Sequence, residues 1–229
     1  MSLLSDSRTP EIIYEATQDH FISGVFPYLN QVFFIDSVQE HQDDGNILLK
    51  QRILSYQLKD QSVQEITGEG IYSICGVRDS KLIILNSRKY YEYDPSSKEF
   101  KPCTSGFTSF AEAHPGWTCQ AECIQDDFNL FTCFDREESN DFIYDTFVTD
   151  RDGNLLGAIP EASLGAFNFQ MIRIDNEEYL FRCSRTTAPF SVNLYKKADL
   201  MQGIVDPITL IAVEDINTDL NNGYILPNP

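Results

Sequence analysis

The chain has 229 residues, 17 Lys or Arg against 35 Asp or Glu, and a formal net charge of −18. A hydrophobic content of 42% with 12% aromatics excludes an acidic disordered chain, which lacks the apolar surface to fold, and the length is enough to bury a core. The acidic balance argues against nucleic acid as the main ligand and against docking on anionic membranes, since both require a basic face.

The first residues carry no basic start followed by a signal-length apolar run, and no stretch approaches 18 apolar residues. These features predict a cytoplasmic chain without a membrane span. Six cysteines occur, at 75, 103, 119, 123, 133 and 183. A chain this large and without a secretory signal is expected to keep them as reduced thiols, packed as small hydrophobes. Tight Cys pairs are absent and the only histidines are His20, His41 and His114, so no metal site and no cofactor are expected.

Helix signals are scarce; the one with helical spacing covers about two turns near 197–203. Short apolar runs separated by polar turns predict strands almost throughout. The first, 11–16, reads as a strand standing ahead of the rest. After it, tight turns at 29–30, 78–80, 125–127 and 175–177 each separate two apolar runs. Their centres lie near 30, 79, 126 and 176, which are 49, 47 and 50 residues apart. A fifth turn is expected one period on, and Asn221-Asn222-Gly223 stands there.

Each unit continues alike. A variable segment leads to an aromatic-rich third strand (47–58, 89–94, 142–149, 190–195). A hairpin turn then leads to a weaker fourth strand (62–67, 99–103, 155–159, 208–213). The unit is thus a four-stranded antiparallel meander, which cannot bury both faces alone. Radial stacking buries them, so the sequence predicts an all-β fold, a β-propeller of about five blades. Four units are full (20–67, 70–103, 119–160, 165–213), the fifth is partial (214–229), and 11–16 is expected to close the ring.

The stretch 81–100, KLIILNSRKYYEYDPSSKEF, resembles a kelch-type blade. In that family a strand ending in Tyr-Asp leads through a Pro/Ser/Thr turn to an aromatic, here Tyr93, Asp94, Pro95 and Phe100. The same stretch is similar to a hemopexin-type blade. Either resemblance implies a propeller; the kelch Gly-Gly pair is absent from every unit.

Candidate chemistry follows from the loops. Asp150-Arg151-Asp152-Gly153-Asn154 has calcium-loop character, but Leu155 stands where that loop needs glycine, so a hairpin turn is expected. Phosphate-loop, nucleophile-elbow and zinc-protease motifs are absent. Asp36, Asp135, Asp141 and Asp145 are read near strand ends. In a central channel such carboxylates would serve a carbohydrate-active enzyme.

In a meander blade the long segments 36–46, 104–118, 135–141 and 184–189 share one face, where binding usually resides. They carry the only Trp, Trp117, with His114, His41, Arg136 and Arg185; Arg88 lies in a neighbouring loop. Trp and Arg are favoured interface anchors. The sequence therefore predicts a non-enzymatic module that binds a protein or peptide partner through this face. The alternatives are a carbohydrate-binding, lectin-like propeller and a carbohydrate-active enzyme.

Overall fold

The structure is a computed structural model and describes residues 12–17, 19–87, 89–103, 117–135, 145–159, 169–183 and 190–213. Among them the chain is all-β apart from one short helix. It divides into two units. The first comprises residues 1–74 and 84–91, the second residues 75–83 and 92–229.

The first sheet belongs to the first unit and has the order β1-β2-β3-β4. Its strands are β1 (His20–Tyr28), β2 (Gln31–His41), β3 (Ile47–Gln57) and β4 (Val63–Glu65). The turn between β1 and β2 is Leu29-Asn30, with Leu29 at φ 55°. β2 and β3 pair over eleven positions, from Gln31↔Gln57 to His41↔Ile47. Apolar side chains fill both faces: Phe33, Ile35 and Ile53 on one, Phe34, Leu54 and Tyr56 on the other, all buried. Each such side chain stabilises by about 1.5–3 kcal/mol relative to exposure.

This sheet corrects two sequence expectations. The segment 36–46 is not a long loop: β2 runs on through Asp36 and Ser37 to His41, and only 42–46 turn. Asp36 and Ser37 are buried in mid-strand because Arg52 and Gln51 on β3 stand directly opposite and satisfy them. Residues 12–17 are not a strand; Tyr14 instead packs its ring on Phe34, centroids 4.6 Å apart.

The second sheet has eight strands in the order β12-β11-β10-β9-β5-β6-β7-β8. They are β5 (Tyr72–Arg78), β6 (Lys81–Asn86), β7 (Lys89–Asp94), β8 (Glu99–Pro102), β9 (Trp117–Ile124), β10 (Phe128–Asp135), β11 (Asp145–Asp150) and β12 (Leu155–Ile159). Two antiparallel four-strand repeats meet at β5 and β9, which run parallel and touch at Gly76↔Ile124. Gly76 sits at φ 145°, and a Cβ there would lie 2.1 Å from the Ile124 carbonyl oxygen. The approach of the two backbones therefore requires glycine.

The third sheet, in the second unit, is β13-β14-β15-β16: β13 (Phe169–Ile174), β14 (Glu177–Cys183), β15 (Phe190–Lys196) and β16 (Ile208–Val213). The two-turn helix expected near 197–203 is a single turn, α1 (Lys197–Leu200), followed by turns. One cluster joins Cys123, Phe128, Leu130, Val148 and Ile159 to Leu180, Tyr195 and Leu200. The third and fourth sequence repeats thus share a core.

The cysteine expectation fails in part. Cys75, Cys103 and Cys123 remain thiols, but Cys133 is disulfide-bonded. Disulfides persist in oxidising compartments, so the cysteines no longer support a cytoplasmic setting. Among the described residues no helix is long and apolar enough to cross a membrane.

Candidate functional site

Register fixes which residues gather at each end of the second unit. Phe128 lies next to the 125–127 turn and opposite Asp150, and Asn129 pairs with Ile124 on the other side. The 79–80 turn, the 125–127 turn and the 151–154 turn therefore share one end. At the other end Trp117 pairs with Asp135, and Asp145 pairs with Cys133. β9 and β11 open and β10 ends there.

The turn end is occupied by its own hydrogen bonds. Arg78, 3% exposed, directs its guanidinium across to the next repeat. Nε and Nη2 donate to the Gln125 carbonyl at 3.0 and 2.9 Å, and Nη1 donates to the Arg151 carbonyl at 3.3 Å. Nη2 also donates to Asn129 Oδ1. Asn129 Nδ2 passes the chain on to Thr149 Oγ1 and the Asp150 carbonyl, at 3.0 and 2.7 Å. Burial, with the neighbouring Arg151 charge, pulls the Arg78 pKa below the ordinary arginine range.

Around this buried core lies an exposed rim. The Asp79 backbone N–H donates to Asp126 Oδ1 at 2.7 Å, and Arg151 grips both Asp79 carboxylate oxygens. Those Arg151 hydrogen bonds hold the Asp79 carboxyl below the usual carboxylate range. Lys197 at the start of α1 bonds Asp127 and Glu178, each at 2.9 Å. The acidic turns here meet cations of this same chain.

The supposed calcium loop belongs to this end and is a turn. Asp150 Oδ1 accepts the N–H groups of Asp152 and Asn154 at 2.9 and 2.8 Å, and Oδ2 accepts Asn154 Nδ2 at 2.7 Å. Donors already fill the oxygens a cation would use. Among the described residues no group of three or more His, Cys, Asp or Glu is arranged to hold a metal ion.

Of the sequence-predicted anchors, Trp117 alone is described at the opposite end. Trp117 is the first residue of β9, not part of a loop. His114, Arg88, Arg136, Arg185 and Asp141 lie outside the described residues. His41 is in the first unit, at the exposed end of β2 opposite Ile47, and so is not a loop residue. Asp135 ends β10 and Asp145 opens β11.

Asp36 is no channel carboxylate. Its side chain is fully buried, with His20 Nδ1 donating to its two oxygens at 3.0 and 3.1 Å. Arg52 Nε and Nη2 add 3.0 and 2.9 Å contacts to Oδ2, and Arg52 Nη1 reaches Glu65 at 3.2 Å. The Tyr14 phenol lies near Asp36 and Arg52; burial, then the Asp36 charge, raises its pKa. Behind it on the other face, Gln51 Nε2 donates to Ser23 and Ser37 hydroxyls, 3.2 Å each, while Gln51 Oε1 accepts the Tyr72 N–H at 2.7 Å. Sequence reasoning missed both this network and the Arg78 clasp. The only available signal was polar residues inside apolar runs.

No family model matches the chain, and no curated protein matches it. Among solved structures it is similar to a Pyrococcus horikoshii acylaminoacyl peptidase (orthorhombic crystal form), with a TM-score of 0.45 and 14% sequence identity. The similarity covers 84% of this chain and 32% of that one, so the chain spans about a third of that protein's length.

Proposed function

We propose that the chain is a propeller-type array of four-stranded blades, weakly kelch-like, that binds a protein or peptide partner. The array is supported by the repeat spacing and by β5 and β9. These are first strands of successive repeats that lie parallel and side by side, as radially stacked blades require.

The binding end is the one that carries Trp117. The observation behind this choice is the Arg78–Gln125–Asn129–Arg151 clasp, which commits the polar groups of the turn end to one another. The single Trp, Trp117, stands at the opposite end, where it opens β9 across from Asp135. An aromatic anchor on a strand end loses little conformational entropy on binding, which favours affinity. The net charge of −18 favours partners with basic residues.

Because Trp117 is the only tryptophan, its emission reports on this end alone. Peptides selected on the intact protein from a displayed library are expected to shift that emission, and Trp117→Ala is expected to weaken them by about tenfold or more. Selected peptides that bind Trp117→Ala as tightly as the parent would overturn the choice of face. Selective binding on a glycan array, with no peptide recovered, would favour the lectin-like alternative.

A further inference from the structure

One feature of the first sheet is independent of the Trp117 end. Among the described residues, one ring of the segment 12–17, that of Tyr14, packs on the face built from Val32, Phe34, Leu54 and Tyr56. Tyr14 packs against this cluster, and its hydroxyl reaches the buried pair of Asp36 and Arg52. The flanking side chains contribute little: Ile12 is 79% exposed and Ile13 is 39% exposed, although both are large and apolar. Among the described residues the segment's one backbone hydrogen bond outside regular structure runs from His20 N–H to the Thr17 carbonyl, at 3.0 Å.

The seat beneath is better built than its occupant. Phe34, Leu54 and Tyr56 are buried, β2 and β3 pair across all eleven of their positions, and Asp36 is anchored from β1 by His20 and from β3 by Arg52. An apolar floor next to a fixed acceptor and donor suits a phenol: the ring buries its faces, and the hydroxyl both donates and accepts. Segments held by few buried contacts and little backbone pairing open first. Two positions past the segment, Asp19 has φ 71°, just before β1 begins at His20.

We propose that residues 12–17 are a releasable strap anchored by Tyr14, and that the seat it vacates on the first sheet binds a tyrosine-bearing extended peptide. The strap is then an internal competitor: a peptide in solution must displace a ring tethered at high effective concentration. Removing the tethered ring removes that competition.

The test uses the full chain, with and without Tyr14→Ala, and a fluorescein-labelled peptide of residues 11–17, EIIYEAT. Tyr14→Ala is expected to bind the peptide about 10- to 100-fold more tightly than the parent. Replacing the peptide's tyrosine with phenylalanine is expected to weaken binding several-fold. Equal binding by the parent and by Tyr14→Ala, or binding by neither while Tyr14→Ala melts cooperatively, overturns the proposal. Hydrogen exchange on the parent decides the matter should the variant fail to fold. Residues 12–17 must exchange far faster than Phe33–Ile35 of β2, and equal protection overturns the strap.

Discussion

Arg78 and Gln125 stand 47 positions apart, at the same place in two successive repeats, and the Arg78 guanidinium donates twice to the Gln125 carbonyl. One side chain thus ties the end of one first strand to the end of the next. Arg78→Ala would leave the Gln125 and Arg151 carbonyls and Asn129 Oδ1 without this donor in a buried setting. We expect a loss of about 2–4 kcal/mol in urea unfolding. Arg78→Met, which keeps much of the apolar packing, should recover only a small part of that loss, because the missing donors dominate.

A few residues upstream, the two backbones come too close for any side chain. Gly76→Ala must move the Ile124 carbonyl or abandon φ 145°, because the new methyl would lie 2.1 Å from that oxygen. Overpacking and backbone strain together predict a loss of about 3–5 kcal/mol, readable as a lowered thermal midpoint. Gly45→Ala is the control: it too has positive φ, at 83°, but nothing lies within 4 Å. It should cost only the backbone term, about 1 kcal/mol.

The hairpins were legible in the sequence because their signals are local. The turns at Leu29, at Asp79 and Ser80, and at Asp175 and Asn176 all adopt positive φ, as the polar breaks between apolar runs imply. What the sequence hid depends on distant partners. Asp36 looks like the start of a loop until Arg52, sixteen residues on, is seen opposite it. Ser37 likewise waits on Gln51. Arg78 looks like an ordinary turn residue because its acceptors lie a whole repeat away. Trp117 reads as a loop residue until Asp135, at the end of β10, is seen opposite it.

The disulfide at Cys133 is a further long-range relation. With Cys75, Cys103 and Cys123 present as thiols, Cys119 and Cys183 remain as partners within the chain, and Cys119 stands directly across the ladder from Cys133. Opposed residues on antiparallel strands have Cβ atoms about 4.5–5.5 Å apart, close to what a disulfide spans. Alkylation in denaturant should therefore label two fewer thiols before reduction than after it. Peptide mapping should find Cys119 joined to Cys133. Reduction should lower stability by about 2–4 kcal/mol, the range for closing a loop of this size. A Cys133–Cys183 linkage would contradict the pairing drawn from the register.

The Tyr93-Asp94-Pro95 turn has a physical role that pH can isolate. Asp94 Oδ1 accepts the Ser96 hydroxyl at 2.6 Å and the Ser96 N–H at 2.8 Å, with the Ser97 N–H farther off at 3.4 Å. These donors, the Ser96 hydroxyl foremost, hold the carboxyl down at about 2, against 3.8 when unperturbed. A pKa depressed by folding means that the ionised form stabilises the native turn. That contribution is complete above the unfolded value and disappears as pH falls through the folded one. Other carboxylates, such as Asp60 and Asp79, shift in the same direction, so acid denaturation of the parent alone cannot report on Asp94. The difference between the parent and Asp94→Ala can. It should be constant from pH 7 to about 5, shrink between about 4 and 2, and vanish below that. Urea midpoints for both proteins at pH 7, 4, 3 and 2 measure it. A difference that persists unchanged at pH 2 would mean that Asp94 supports the turn through its shape and not through its charge.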